Sequence, residues 1–198
     1  MWIRTSATII SLTLLSFALR AAQSERSPDF RNFSYLWPGA DGVPAQWNWL
    51  ELPTSNSVLL VHGRHDFKVK SLNVPRSPYL LFDSESRGDL GSAAPKVAAV
   101  TLRYGTGGTA NWSYLYVYEL SENEPRLLGV LRSGSRADGG LIKATIKDHS
   151  LVLDFADAAR KTADCCSDGF VRARYKWNGK RFNQTGSMER EDITDVGE

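Results

Sequence analysis

The chain has 198 residues, with 24 Lys or Arg against 22 Asp or Glu. That near balance lacks the net basic field of a nucleic-acid surface. The two cysteines are adjacent, so they cannot staple distant parts of a fold and are too few for a closed zinc site.

The chain opens as Met1-Trp2-Ile3-Arg4, runs apolar from Thr8 to Leu19, and continues Arg20-Ala21-Ala22-Gln23-Ser24. A basic start, an apolar centre and small residues at Ala22 and Ser24 predict a secretory signal peptide over 1–24, cleaved after Ser24. An apolar core of about 12 residues falls short of the ~20 that span a bilayer, so no membrane span is expected after cleavage. The signal takes Arg4 and Arg20 with it, which leaves 22 basic and 22 acidic residues. About 174 mature residues suit one domain with its own core.

Residues 25–95 are irregular and proline-rich, and they read as part of the same domain, packing across one face of a sheet. Val58–His62 and Tyr79–Phe82 are predicted strands, and Trp47 and Trp49 suit an extended edge. His62 and His65 would point in different directions on a strand or loop, so no metal site is expected there. Asp83–Asp89 stands where the proteins that this chain resembles, through the blocks given below, often carry an acidic loop, but Arg87 repels a calcium ion that wants six to eight oxygens.

Seven strands are predicted next: Lys96–Arg103, Trp112–Leu120, Arg126–Arg132, Leu141–Lys147, Leu151–Phe155, Phe170–Trp177 and Arg181–Gln184. Turn residues separate almost every pair, and Asn178-Gly179 reads as a two-residue hairpin turn. The expected fold is therefore mostly β, an antiparallel meander forming a sheet, sandwich or open barrel over residues 25–186. Ser187–Glu198, acidic and poor in apolar groups, is expected to be a disordered tail.

Three blocks stand out: Tyr104–Leu120 (YGTGGTANWSYLYVYEL), Ser133–Leu141 (SGSRADGGL) and Asp164–Phe182 (DCCSDGFVRARYKWNGKRF). Together with Asp29-Phe30-Arg31-Asn32-Phe33, they resemble a group of exported bacterial β-domain proteins of unknown function. The pattern is similar, more remotely, to the LppP/LprE-type lipoprotein domain of mycobacteria. The resemblance implies a β-rich extracytoplasmic domain and no assigned activity.

The chemistry-bearing residues leave alternatives open. A Cys165–Cys166 disulfide would be strained, because neighbouring Cα atoms lie ~3.8 Å apart against the usual ~4.4–6.8 Å. It would be a redox switch, a ligand-contacting turn or a conformational lock, and the alternatives are two free thiols packed beside the following strand or bonds to another molecule. Arg136 and Asp138 form either a ligand-reading pair or a local ion pair shaping the Gly134–Gly140 turn. Arg160, Lys161, Arg172, Arg174, Lys176, Lys180 and Arg181 make a basic patch, read as a solvated strand face rather than an anion site. The stripe Trp112/Tyr114/Tyr116/Tyr118 is either core or a platform for sugars.

No nucleophile–base–orienter set or carboxylate pair stands out, and neither catalysis nor a cofactor or metal is expected. The reading is an exported, non-catalytic β-domain with a structural or interaction role in the cell envelope, its partner an envelope protein or a glycan. The alternative is a glycan- or small-ligand-binding module using Trp47, Trp49, Trp112 or Tyr114.

Overall fold

A computed structural model describes residues 27–39, 47–50, 56–68, 77–108, 111–121, 124–135, 138–163 and 166–192. The expected signal peptide lies outside the described residues. Among those described, no helix is long and apolar enough to cross a membrane.

The strands in chain order are β1 (Ser34–Leu36), β2 (Asn48–Trp49), β3 (Ser57–Leu59), β4 (Arg64–Asp66), β5 (Tyr79–Gly88), β6 (Val97–Gly105) and β7 (Asn111–Glu119). There follow β8 (Arg126–Ser133), β9 (Leu141–Lys147), β10 (Ser150–Ala156), β11 (Lys161–Ala163), β12 (Cys166–Ser167), β13 (Gly169–Trp177) and β14 (Phe182–Asp192). Every described ladder is antiparallel. The predicted meander is divided in two. Strands β5 to β8 form the centre of a six-stranded sheet ordered β2-β8-β7-β6-β5-β4, and β9, β10, β13 and β14 form a four-stranded one.

The central strands are buried on both faces, which is why they read as dense apolar runs rather than simple alternation. Val97, Ala99, Leu115, Val117 and Leu131 point toward the four-stranded sheet, meeting Leu151, Leu153, Phe155, Ala173 and Tyr175. The intervening residues Ala98, Val100, Leu102, Tyr114, Tyr116 and Val130 face the other way, onto Phe30, Tyr35, Trp37, Val58 and Leu60. The N-terminal pair β1–β3 thus forms a third layer. The segment Asp29–Phe33 anchors it. Asp29 accepts hydrogen bonds from Arg31 N and Asn32 Nδ2, the Gly63 amide donates to Arg31 O, and Leu60 N donates to Phe33 O.

Several local expectations need correction. The segment Asp83–Gly88 is strand, not loop: it continues β5, with Asp83 paired to Arg103 and Glu85 to Arg87. Between β13 and β14 the ladder closes at Trp177↔Phe182, so residues 178–181 form a four-residue loop rather than a two-residue turn. There Gly179 has φ +90° and the Asn178 carboxamide accepts from the amides of Lys180 and Arg181. The true two-residue turn is Asp148-His149, with φ of 51° and 55° between Lys147 and Ser150. Positive φ at both central residues suits the right-handed twist of a hairpin.

The acidic segment expected to be disordered continues β14 as far as Asp192, paired with β13. A bulge at Gly186–Met188 shifts the register from Arg174↔Thr185 to Arg172↔Glu189. Residues 193–198 lie outside the described set.

Burial raises the phenol pKa of Tyr35, Tyr116, Tyr118 and Tyr175 above the ordinary tyrosine value. These groups keep their protons in the folded state where unfolded tyrosine ionises. Their stabilisation is therefore complete below about pH 10 and is lost as pH rises beyond it. In an alkaline titration, tyrosinate absorbance from these rings should appear together with loss of near-ultraviolet circular dichroism. Full ionisation of all tyrosines in a protein that keeps its dichroism would contradict this burial.

Candidate functional site

The aromatic stripe of β7 offers no platform. Tyr114 and Tyr116 are 0% exposed and Trp112 is 9% exposed, so their faces meet the N-terminal layer instead of solvent. Trp37 packs on Tyr114 with ring centroids 4.9 Å apart, and Tyr35 meets Tyr116 edge-on at 5.0 Å. This corrects the sugar-stacking reading for Trp112 and Tyr114.

Trp47 and Trp49 are half-buried at the β2 edge. The Trp47 ring stacks on Phe155 at 3.8 Å and that of Trp49 on Phe182 at 4.5 Å. Gly129 on β8 permits the latter arrangement, since a Cβ there would lie 3.1 Å from the Trp49 ring. One face of each indole thus serves to close the sandwich.

The Gly134–Gly140 loop is drawn together by its own polar groups. Ser135 Oγ donates to Asp138 Oδ2 at 2.6 Å, and the amides of Asp138 and Gly140 both donate to Ser135 O. Asp138 therefore shapes the turn. Arg136, its expected partner, lies outside the described residues.

Cys166 begins β12 opposite Ala163, on the excursion between β10 and β13. Cys165 lies outside the described residues, and the proposed vicinal disulfide with it. Ser167 anchors the excursion by donating to the carbonyls of Asp157 and Gly169.

The basic patch and the acidic C-terminal segment turn out to be partners. Glu189, Arg190, Glu191 and Asp192 pair with Arg174 (3.7 Å), Asp157 (3.3 Å), Arg172 (3.1 Å) and Arg160 (2.6 Å). The Asp157–Arg190 contact is an ion pair without hydrogen-bond alignment. Arg172 is the hub. Its guanidinium grips Asp154 through two parallel hydrogen bonds of 2.8 and 3.1 Å, and Asp154 is only 4% exposed. Hydrogen bonding to Asp154 holds the Arg172 pKa above its usual value. Lys176, Lys180 and Arg181 stay exposed around the 178–181 loop. The patch expected to be a solvated strand face is thus an intramolecular ladder at its Arg160, Arg172 and Arg174 end.

His65 Nδ1 lies 3.0 Å from the Leu59 carbonyl, and its ring meets Phe67 edge-on. Among the described residues no three His, Cys, Asp or Glu side chains gather as a metal site.

One recess was missed in the sequence. A cleft of about 420 Å³ lies between the N-terminal layer and the β7–β8 turn, lined by Phe33, Ser34, Leu36, Tyr118, Glu124, Pro125 and Leu127. Its walls come from three separated stretches, of which the 121–125 segment reads only as a turn. Ser121 Oγ donates to Glu124 O and closes that turn. The volume is within the range of small-ligand sites.

No protein-family model, no curated protein and no solved structure matches this chain. The site must be read from its own geometry.

The Arg172 hub makes a stability prediction. Arg172→Ala strands a buried carboxylate and should cost about 3 kcal/mol in urea unfolding. Glu189→Gln removes a half-exposed contact and should stay within about 0.5 kcal/mol of the parent. Equal effects from the two substitutions would show that Arg172 is no hub.

Proposed function

We propose that this chain is an exported, non-catalytic β-sandwich domain that works in the cell envelope by holding a partner rather than transforming a substrate. The observation that carries this reading is how the polar side chains are used. The carboxylates of Asp154, Asp157, Glu189, Glu191 and Asp192 lie in cross-strand or loop ion pairs. Asp29 and Asp138 cap turns. Groups engaged in this way hold strands together and are not poised to move protons. The open recess is mainly apolar, as surfaces are that bind by complementarity.

Export rests on the tripartite segment 1–24 and on the resemblance to exported β-domains. A second reading, a small-ligand module, is favoured by the cleft beside Tyr118, at the end of the β7 stripe, and moves binding away from Trp112 and Tyr114.

Fractionation of cells making the full chain, with N-terminal sequencing of the product, tests the localisation. The expected result is an extracytoplasmic protein beginning within a few residues of Glu25. A cytosolic product that retains Met1 would overturn export. Cross-linking in intact cells should then capture an envelope component, and a protein that stays uncross-linked there argues against the interaction role.

A further inference from the structure

The cleft beside Tyr118 has features that a bare apolar groove lacks. In the N-terminal layer, buried phenols donate to backbone carbonyls: Tyr35 to Phe30 O at 2.6 Å, Tyr114 to Gly39 O at 2.9 Å, and Tyr116 to Leu36 O at 2.8 Å. Tyr118 is the exception. It is 4% exposed and lines the cleft, and its hydroxyl makes no hydrogen bond within the described residues while its oxygen stays open to solvent. A hydroxyl left open to the cleft can exchange its water for a hydrogen bond to whatever occupies it. The ring itself is fixed by Phe30, stacked at 5.3 Å, and by Phe33, edge-on at 5.3 Å.

Glu124 is the second unmatched group. Its carboxylate has no cation among the described residues. Arg126, the nearest arginine in sequence, is held by Glu119 at 2.7 Å. Ser34 adds an exposed hydroxyl on the same wall.

We propose that this cleft binds a small primary ammonium ion carried on an apolar body, an alkyl- or aryl-ethylamine in class. Glu124 supplies the countercharge. Its carboxylate, the Tyr118 phenol oxygen and Ser34 Oγ provide acceptors for the three N–H donors of an ammonium group. The half-buried ring of Phe33 favours a cation near its face, and Leu36, Pro125 and Leu127 cover the apolar body. The proposal deepens the interaction reading by naming one site and the chemistry it accepts.

Calorimetric titration of the purified protein with three probes of one shape tests it: phenethylamine, phenethyl alcohol and 3-phenylpropionate. The amine should bind most tightly and the carboxylate most weakly. Glu124→Gln should weaken the amine about fivefold and leave the alcohol unchanged, the scale of a partly exposed charge contact. Tyr118→Phe removes a hydroxyl that no protein group uses. It should weaken the amine without lowering the melting temperature, whereas Tyr116→Phe, which strands the Leu36 carbonyl, should lower it.

An amine that binds no better than the alcohol overturns the site, as does a Glu124→Gln protein that keeps the amine preference. Because Glu124 is exposed, its substitution leaves the fold in place whatever Tyr118→Phe does. Blank titrations with all three probes would also remove the site, and would leave the export and partner-holding reading to the fractionation and cross-linking result.

Discussion

A β-sheet whose strands are apolar on both faces has to be covered twice, and that requirement organises the whole molecule. Strands β6 and β7 carry aliphatic residues on one side and mostly aromatic residues on the other, and neither side can be left in water. The four-stranded sheet covers the aliphatic face. The aromatic face is covered by a minimal layer, the short β1–β3 pair and the segment before it. A layer that thin holds because the tyrosines reach through it: Tyr114 and Tyr116 donate to the carbonyls of Gly39 and Leu36. Burial of the rings and satisfaction of their hydroxyls are a single interaction seen from two sides.

The same constraint accounts for the cleft. The N-terminal layer reaches along β7 as far as Tyr118, whose ring Phe30 and Phe33 still cover, next to the turn that carries Glu124. Where the cover ends, the aromatic floor meets the surface, and the last phenol of the stripe has no carbonyl to meet. A recess at that point follows from a cover shorter than the strand it protects.

Much of this architecture was legible in the chain. Strands β6 to β10 and β13 follow from β-branched and aromatic runs bounded by glycine, proline and asparagine, and their limits fall within a residue or two of those expected. The faces of β7 were readable from strict alternation. Other features depend on pairs far apart in sequence and were not. Ser187–Asp192 has the composition of a solvated tail, yet Arg160, Arg172 and Arg174 supply what it lacks. The basic patch and the acidic tail were misread for the same reason, since each is incomplete without the other. The turn at Lys147-Asp148-His149 was expected between two strands, but not its two-residue form, because neither central residue is the glycine that positive φ favours. The cleft was invisible, being assembled from the edges of two layers.

The four charged residues that end β14 have a further consequence. Among the described strands β14 pairs on one side only, so its outer edge presents free backbone amides and carbonyls. Such an edge is a template on which a second chain can add a strand. Here the Gly186–Met188 bulge breaks the line of the edge, and Glu189, Arg190, Glu191 and Asp192 are locked to their own fold by ion pairs. A second copy would have to approach a fixed row of charged side chains, out of register across a kink. The ladder that closes the sheet therefore also opposes strand addition at this edge.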